Sequence, residues 1–330
     1  MREMLKTIAK HLTQGEELVL VTVVASSGAT PRGAGARMLV GENGRICGTI
    51  GGGAVEFRSE QIAASVLREK SSRGHDFTLT RDDVQNLGMI CGGDCNVFFH
   101  YLPAGDPDTL ALARAAELRF ADGKDLWLIS DLAAGGKLTL ADRSDPLLAP
   151  LLTRRPYRLQ QDGKDLYIEQ ICTAGRVYIF GGGHVAQELV PVLAHVGFRC
   201  VVMDDRPEFT RPELFPDAEQ IVCGDLRRID AYLDIGPEDY VCVMTRGHAY
   251  DTVVQAQVLQ RGPCYCGVIG SRQKAAGVRR VLQEEYGLTE QTLALVTTPI
   301  GLDIQAETPE EIAVSIAAQL ILHRAEHKRQ

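Results

Sequence analysis

With 330 residues, the chain is long enough for two domains, each with its own core. Its 45% hydrophobic and 24% charged residues fit an ordinary soluble globular protein. A net charge of −8 excludes nucleic acid as the main partner, because phosphate-backbone binding needs a concentrated basic surface. No run reaches the length of a membrane span, and the first residues lack the apolar stretch of a signal peptide, so the cytoplasm is the expected address.

The first elements in chain order are an amphipathic helix stopped by Gly15 and the apolar strand ELVLVTVVAS. That strand delivers the chain to a glycine-rich loop, Ser27-Gly-Ala-Thr-Pro-Arg-Gly-Ala-Gly-Ala-Arg37. ARMLVGENGRICGTI reads as a hairpin turning at Asn43-Gly44. A second glycine loop, Gly51-Gly52-Gly53, opens a helix whose first turn holds Glu56, and a third, Met89-Ile-Cys-Gly-Gly93, precedes the strand NVFFHYL. Strands then mix with one more helix, DTLALARAAELRFADG, before a hairpin turning at Asp162-Gly163. This first domain, residues 1–172, reads as a mixed α+β layer.

Its three loops carry the chemistry. Glycine amides approach an anion closely and arginine grips phosphate with two parallel hydrogen bonds, so Arg32, Arg37, Gly51, Gly52, Gly53, Gly92 and Gly93 are candidate ligand contacts. At least one of the two arginines is expected to touch ligand. Glu56 reads more simply as a carboxylate favoured by the helix dipole. Cys91 stands at a turn beside two glycines, where backbone amides would favour thiolate, and is the candidate reactive thiol and soft metal ligand. Cys95 is a possible second thiol, while Cys200, Cys223, Cys242, Cys264 and Cys266 fall in or beside strand-like runs and read as core.

Near residue 173 the pattern changes. RVYIFGGGHVAQELVPVLAHVGFRCVVMDDR is strand, glycine turn, helix, strand, and EQIVC, YVCVMT, YCGVIG and LALVTT follow as further strands. The alternation predicts a Rossmann-like doubly wound parallel sheet over 173–330, making the chain an α/β protein. Gly181, Gly182 and Gly183 with Ala186 fit the dinucleotide fingerprint, and Asp204 and Asp205 stand near the spacing of the ribose-binding acid. The loop therefore holds NAD(P), another phosphorylated ligand or nothing, and His184 is either a pocket residue or a helix cap. The proline-rich RPEFTRPELFPDA stands where a crossover helix belongs in a plain dehydrogenase. The loops Thr245–Asp251 and Gly270–Lys274 bring Arg246, His248, Asp251, Ser271, Arg272 and Lys274 to the strand ends. There His248 and Asp251 are candidates for proton transfer or metal binding. Thr308, Pro309 and Glu311 predict a capping box at the start of the last helix.

In their order, SGATPRGAGARMLV, GTIGGG with Glu56, MICGG, FGGGHVA, DDRPEF, TRGHAYD, GSRQK and PIGLDI resemble the XdhC/CoxI family over nearly the whole chain. The resemblance implies a chaperone for a molybdopterin-type molybdenum cofactor. Such a protein protects the cofactor during sulfuration and passes it to an apo molybdenum hydroxylase of xanthine dehydrogenase type. It also implies a cysteine desulfurase partner, a homodimer, and Cys91 presented to the molybdenum. The rival readings are an NAD(P)-dependent oxidoreductase, using Asp204 or Asp205 on ribose and His248 as acid/base, and a redox sensor built on Cys91 and Cys95.

Overall fold

A computed structural model describes residues 1–28, 32–78 and 93–327, which fall into two compact units, Met1–Thr173 and Ala174–Gln330.

In the first unit α1 (Arg2–Thr13), β1 (Leu18–Gly28), β2 (Arg37–Gly41), β3 (Gly44–Thr49), α2 (Gly53–Glu69), β4 (Arg73–Thr78) and β5 (Gly93–Leu102) come first. They are followed by α3 (Pro107–Asp122), β6 (Leu126–Asp131), β7 (Lys137–Ala141), β8 (Tyr157–Gln161) and β9 (Lys164–Cys172). The strands form two antiparallel sheets, β3-β2-β1-β5-β4 and β7-β6-β9-β8. Alternation along β1 separates two cores. Val19, Val21 and Val23 pack under α2, whereas Leu18 and Leu20 join Leu5, Ile8 and Leu12 of α1 with Ala116 and Phe120 of α3. The β8–β9 hairpin turns at Asp162 and Gly163, both at positive φ, as a two-residue loop of matching twist requires. The β2–β3 turn lies one residue earlier than its Asn-Gly signal suggests: Gly41 pairs with Gly44, leaving Glu42 and Asn43 as the loop.

The second unit runs β10 (Val177–Phe180), α4 (His184–His195), β11 (Cys200–Asp204), β12 (Gln220–Cys223), β13 (Tyr240–Val243), α5 (Asp251–Gln260) and β14 (Tyr265–Val268). It closes with α6 (Arg272–Glu284), α7 (Glu290–Leu293), β15 (Val296–Thr297) and α8 (Pro309–His327). All six strands are parallel, in the order β12-β11-β10-β13-β14-β15. The order reverses between β10 and β13, the crevice where open α/β sheets take ligands. One face of the sheet packs on α4 and α8, the other on α5, α6 and α7. Between β11 and β12, two short 3-10 turns, Pro207–Phe209 and Pro212–Leu214, replace the crossover helix. At the head of α8 the Glu311 carboxylate accepts the Thr308 amide, and the Glu311 amide donates to Thr308 Oγ1, completing the capping box.

Cys200, Cys242 and Cys266 are buried strand residues whose thiols burial pushes far above the ordinary range. Cys223 departs from the core reading. It is exposed at the end of β12, the strand at one edge of the sheet.

Candidate functional site

The Gly181-Gly182-Gly183 turn leaves β10 and opens α4 as the fingerprint requires, but its immediate neighbours are protein. A Cβ on Gly181, at φ +112°, would lie 2.3 Å from the Met244 carbonyl oxygen, and one on Gly182 would lie 2.3 Å from that of Phe209. These two glycines therefore let the end of β13 and the proline-rich connector approach the turn. Gly183 faces open space and His184 is exposed.

Asp204 is 1% exposed and has no capacity left for a ribose. One carboxylate oxygen accepts the Gly182 amide at 2.8 Å and Arg206 Nη2 at 2.9 Å; the other accepts the Arg206 amide at 3.0 Å and Nε at 2.9 Å. Burial alone would raise its pKa, but the Arg206 side chain and the two amides hold it below the usual carboxylate value. The Arg206 guanidinium also stacks 3.9 Å from the centre of the Phe209 ring, sealing the connector over the turn. Asp204 thus clamps structure in place of the expected ribose contact. Asp205 is exposed, 3.9 Å from Arg206 Nε, and is the acid of the pair on the surface.

In the first unit, two candidates have internal partners. Arg37, on β2, forms a two-pronged ion pair with Glu169 of β9, and both side chains are 8% exposed. Burial pulls the Arg37 pKa down to about 10, so it stays charged at neutral pH. It joins the two sheets instead of contacting a ligand. Arg32 is exposed.

The Gly51–Gly53 turn already holds an anion, the carboxylate of Glu56 one turn into α2. It accepts the amides of Ile50 at 2.9 Å and Gly52 at 3.2 Å, together with Thr49 Oγ1 and Arg45 Nη1. Burial opposes ionisation here, but the Thr49 hydroxyl, the two amides and Arg45 outweigh it and lower the pKa. A phosphate on the Ile50 and Gly52 amides would have to displace this side chain, and the Gly51 amide already donates to Thr49 Oγ1 at 3.1 Å. The arginine that pairs with Glu56 is Arg45 of β3, which lies outside the first glycine loop.

Cys91 and Gly92 lie outside the described residues, whereas Gly93 opens β5 opposite Gly28. Cys95, two residues further on, is 4% exposed, and burial raises its pKa to about 11, so its thiol is protonated at neutral pH. It borders an open groove of about 350 Å³ with Ser26, Ser27, Asp76 and Asn96. Among the described residues no three His, Cys, Asp or Glu side chains gather as a metal site.

The second unit holds a better-formed cavity of about 370 Å³ beside the carboxyl ends of β13, β14 and β15, between α5 and α6. Gly247, Asp251, Gly270 and Ser271, all from the two strand-end loops singled out by sequence, line it. Arg272 opens α6, while Arg246 is exposed and stands with His248 in a 3-10 turn. Asp251 is 2% exposed and one of its oxygens accepts both the amide and the hydroxyl of Thr245, at 3.2 and 2.6 Å. That bond ties the head of α5 to the end of β13, so the carboxylate braces the loop rather than acting as an exposed base.

A family model for the XdhC Rossmann domain matches residues 177–320, and one for the XdhC and CoxI family matches residues 11–80. The chain belongs to the XdhC and CoxI family. It is 26% identical to the uncharacterized protein YqeB of Escherichia coli over 95% of its own length, but spans only 44% of that relative. It is also 26% identical to a Bacillus subtilis protein named as a probable xanthine dehydrogenase subunit, covering 95% of both chains. The molybdenum cofactor insertion chaperone PaoD of E. coli is 25% identical, over 98% of this chain and 90% of PaoD. A crystal structure from Bacillus halodurans, described as a xanthine dehydrogenase, superposes with a TM-score of 0.81 at 26% identity, covering 98% of this chain and 96% of that one.

Three residues that matter in this XdhC-type chain escape a reading of the motifs: Glu169, Arg206 and Gln255. Arg206 carries a signal, because it directly follows the acid pair. Glu169 lies 132 positions from its partner and carries none. Gln255 lines the cavity of the second unit one turn after Asp251 on α5, and only the helix makes that spacing meaningful.

Proposed function

We propose that this protein is a maturation factor that binds a molybdenum cofactor, shields it during sulfuration and delivers it to an apo-hydroxylase of xanthine dehydrogenase type. The observation that carries this reading is similarity over at least 90% of both chains to two relatives, one named for xanthine dehydrogenase and the other for cofactor insertion. The site supports a carrier. The half-open cavity at the strand ends of the second unit supplies a largely apolar surface, and Asp204 is saturated by Arg206 and Gly182, which leaves only Asp205 of the acid pair for the ribose that an NAD(P)-dependent oxidoreductase needs. Arg32 and Cys91 are the proposed first-unit contacts, for the cofactor's phosphate and metal end respectively. A cysteine desulfurase and a second copy of the chain complete the proposed assembly.

The test is reconstitution. Cofactor-loaded protein should activate apo-hydroxylase, and Cys91→Ser should bind cofactor yet fail to activate. Arg32→Ala should weaken cofactor binding about tenfold or more, as expected for loss of a charge-assisted phosphate contact. Full activation by Cys91→Ser would remove that thiol from the reading. Failure of the wild-type protein to bind cofactor would overturn the function itself.

A further inference from the structure

We infer that the outward face of α8 is the surface on which a second copy of this chain docks, the two helices lying antiparallel with Ala318 at the two-fold axis. This deepens the proposed function by placing its second copy, and rests on that reading only for there being one.

The pattern of α8 comes first. Its apolar residues are spread almost evenly around the helix, whereas α1 and α6 confine theirs to one side. A helix that is apolar all round is one that other surfaces cover all round. The inner side of α8 is accounted for, since Ala313, Ile316, Ala317 and Leu320 are buried with α4 on one face of the parallel sheet. The outer side is uncovered. Val314 is 51% exposed, Leu322 47% and Ile321 39%, with Ala318 half-buried between them and Ala325 exposed beyond. These positions recur at i, i+4, i+7, i+8 and i+11, so they form one stripe. Ile304, also exposed, stands in the loop before α8, which Ser315 Oγ ties to the helix by donating to the Leu302 carbonyl at 2.6 Å. Four of the ten large apolar side chains exposed among the described residues thus gather on one element and its leading loop, a concentration that scattered surface residues do not make.

The ends of the stripe choose the occupant. Glu310 and Glu311, both exposed, stand one turn before Val314 and make its head acidic. At the other end Glu326 falls outside the series, and Arg324 is turned onto the Phe198 ring of its own unit, 4.0 Å from the centre. There the sequence continues through a basic pair, Lys328-Arg329. A surface with acid at one end, aliphatic side chains in the middle and base beyond is matched by one of the same order running the opposite way. A second α8 has that order, and a two-fold interface is self-complementary by construction. Antiparallel pairing sets each acidic head at the end of the partner from which the basic pair continues; parallel pairing would set acid on acid. With the axis at Ala318, Val314 meets the partner's Leu322, and the small central residue lets the helices approach closely.

Sedimentation equilibrium of the full-length protein tests the proposal. The wild type should be a dimer at micromolar concentration. Val314→Glu and Leu322→Lys should each raise the dissociation constant about a hundredfold or more with an unchanged circular dichroism spectrum, because each leaves an unpaired charge in the seam. The double variant sets the two new charges opposite each other across the axis and should recover about tenfold of that loss or more. Ala318→Cys should cross-link at its new thiol on mild oxidation, identified by peptide mapping, and Ala325→Cys should not. A wild type that is monomeric at high micromolar concentration overturns the inference, whether or not α8 then binds apo-hydroxylase or vesicles of anionic phospholipid. A dimer that neither single variant weakens overturns it too, and weakening without recovery in the double variant overturns the antiparallel arrangement. Cofactor binding measured on the same proteins separates the two claims. Cofactor binding by a monomeric wild type sinks the docking surface alone, and the expected dimer without cofactor binding sinks the proposed function alone.

Discussion

The Arg37–Glu169 pair is the most consequential single interaction of the first unit, because both charges are withdrawn from water and each depends on the other. Removing one partner of such a pair leaves an uncompensated buried charge and costs about 3–5 kcal/mol, whereas replacing both with apolar residues of similar size is often close to neutral. Urea unfolding should therefore show Arg37→Met and Glu169→Leu each strongly destabilised, and the double variant less destabilised than either. His100 gives a pH signature of its own. It is half-buried, its Nδ1 is withdrawn from solvent with no partner among the described residues, and this desolvation lowers its pKa from 6.5 to about 4. The folded protein thus holds a neutral imidazole that the unfolded chain protonates below about pH 6.5. Stability is fully present above that pH and is lost as pH falls toward 4, by up to about 3 kcal/mol. In His100→Phe, the fall in urea midpoint between pH 7 and pH 5 should shrink; an unchanged slope would assign the acid sensitivity to other groups. Neither feature is legible in the sequence. A motif reading sees Arg37 two positions from a loop glycine, but only the pairing of distant strands brings Glu169 to it.

At the scale of elements, the Gly51–Gly53 turn and the head of α2 form an anion site that supplies its own anion. The sequence marks this place correctly, since glycines before a helix do make a nest of amides. It does not reveal that a carboxylate one turn later folds back to fill the nest. Glu56→Ala should therefore destabilise the protein and, unlike the wild type, recover stability in added phosphate or sulfate, visible as a salt-specific rise in melting temperature over chloride. Equal response of both proteins would mean that the amides are not a usable nest. Where local chemistry alone decides the geometry, sequence suffices. The Asp162-Gly163 turn and the Thr308–Glu311 capping box both form as their residue types dictate. The β–α alternation of the second unit likewise specifies a parallel sheet, because strands of that orientation need long crossovers.

At the scale of the whole molecule, the chain carries two units with separate cores, Met1–Thr173 and Ala174–Gln330. Expressed alone, 174–330 should unfold in one cooperative transition, because both cores that cover the faces of its sheet lie within it. Loss of cooperativity in the fragment would show that its stability depends on residues 1–173. The covered glycine turn has a further consequence, for how genetic data on this protein are read. Gly181 and Gly182 are pressed against the carbonyls of Met244 and Phe209, so any side chain there collides with backbone. A saturation mutagenesis screen scored by activity would find both positions intolerant, with Asp204 and Arg206 beside them. That fingerprint of dead variants would look like a nucleotide pocket, yet the cause would be loss of folded protein. Scored by abundance as well, the same variants would vanish from the soluble pool, whereas Arg32→Ala, at an exposed position, would stay soluble and lose only cofactor binding.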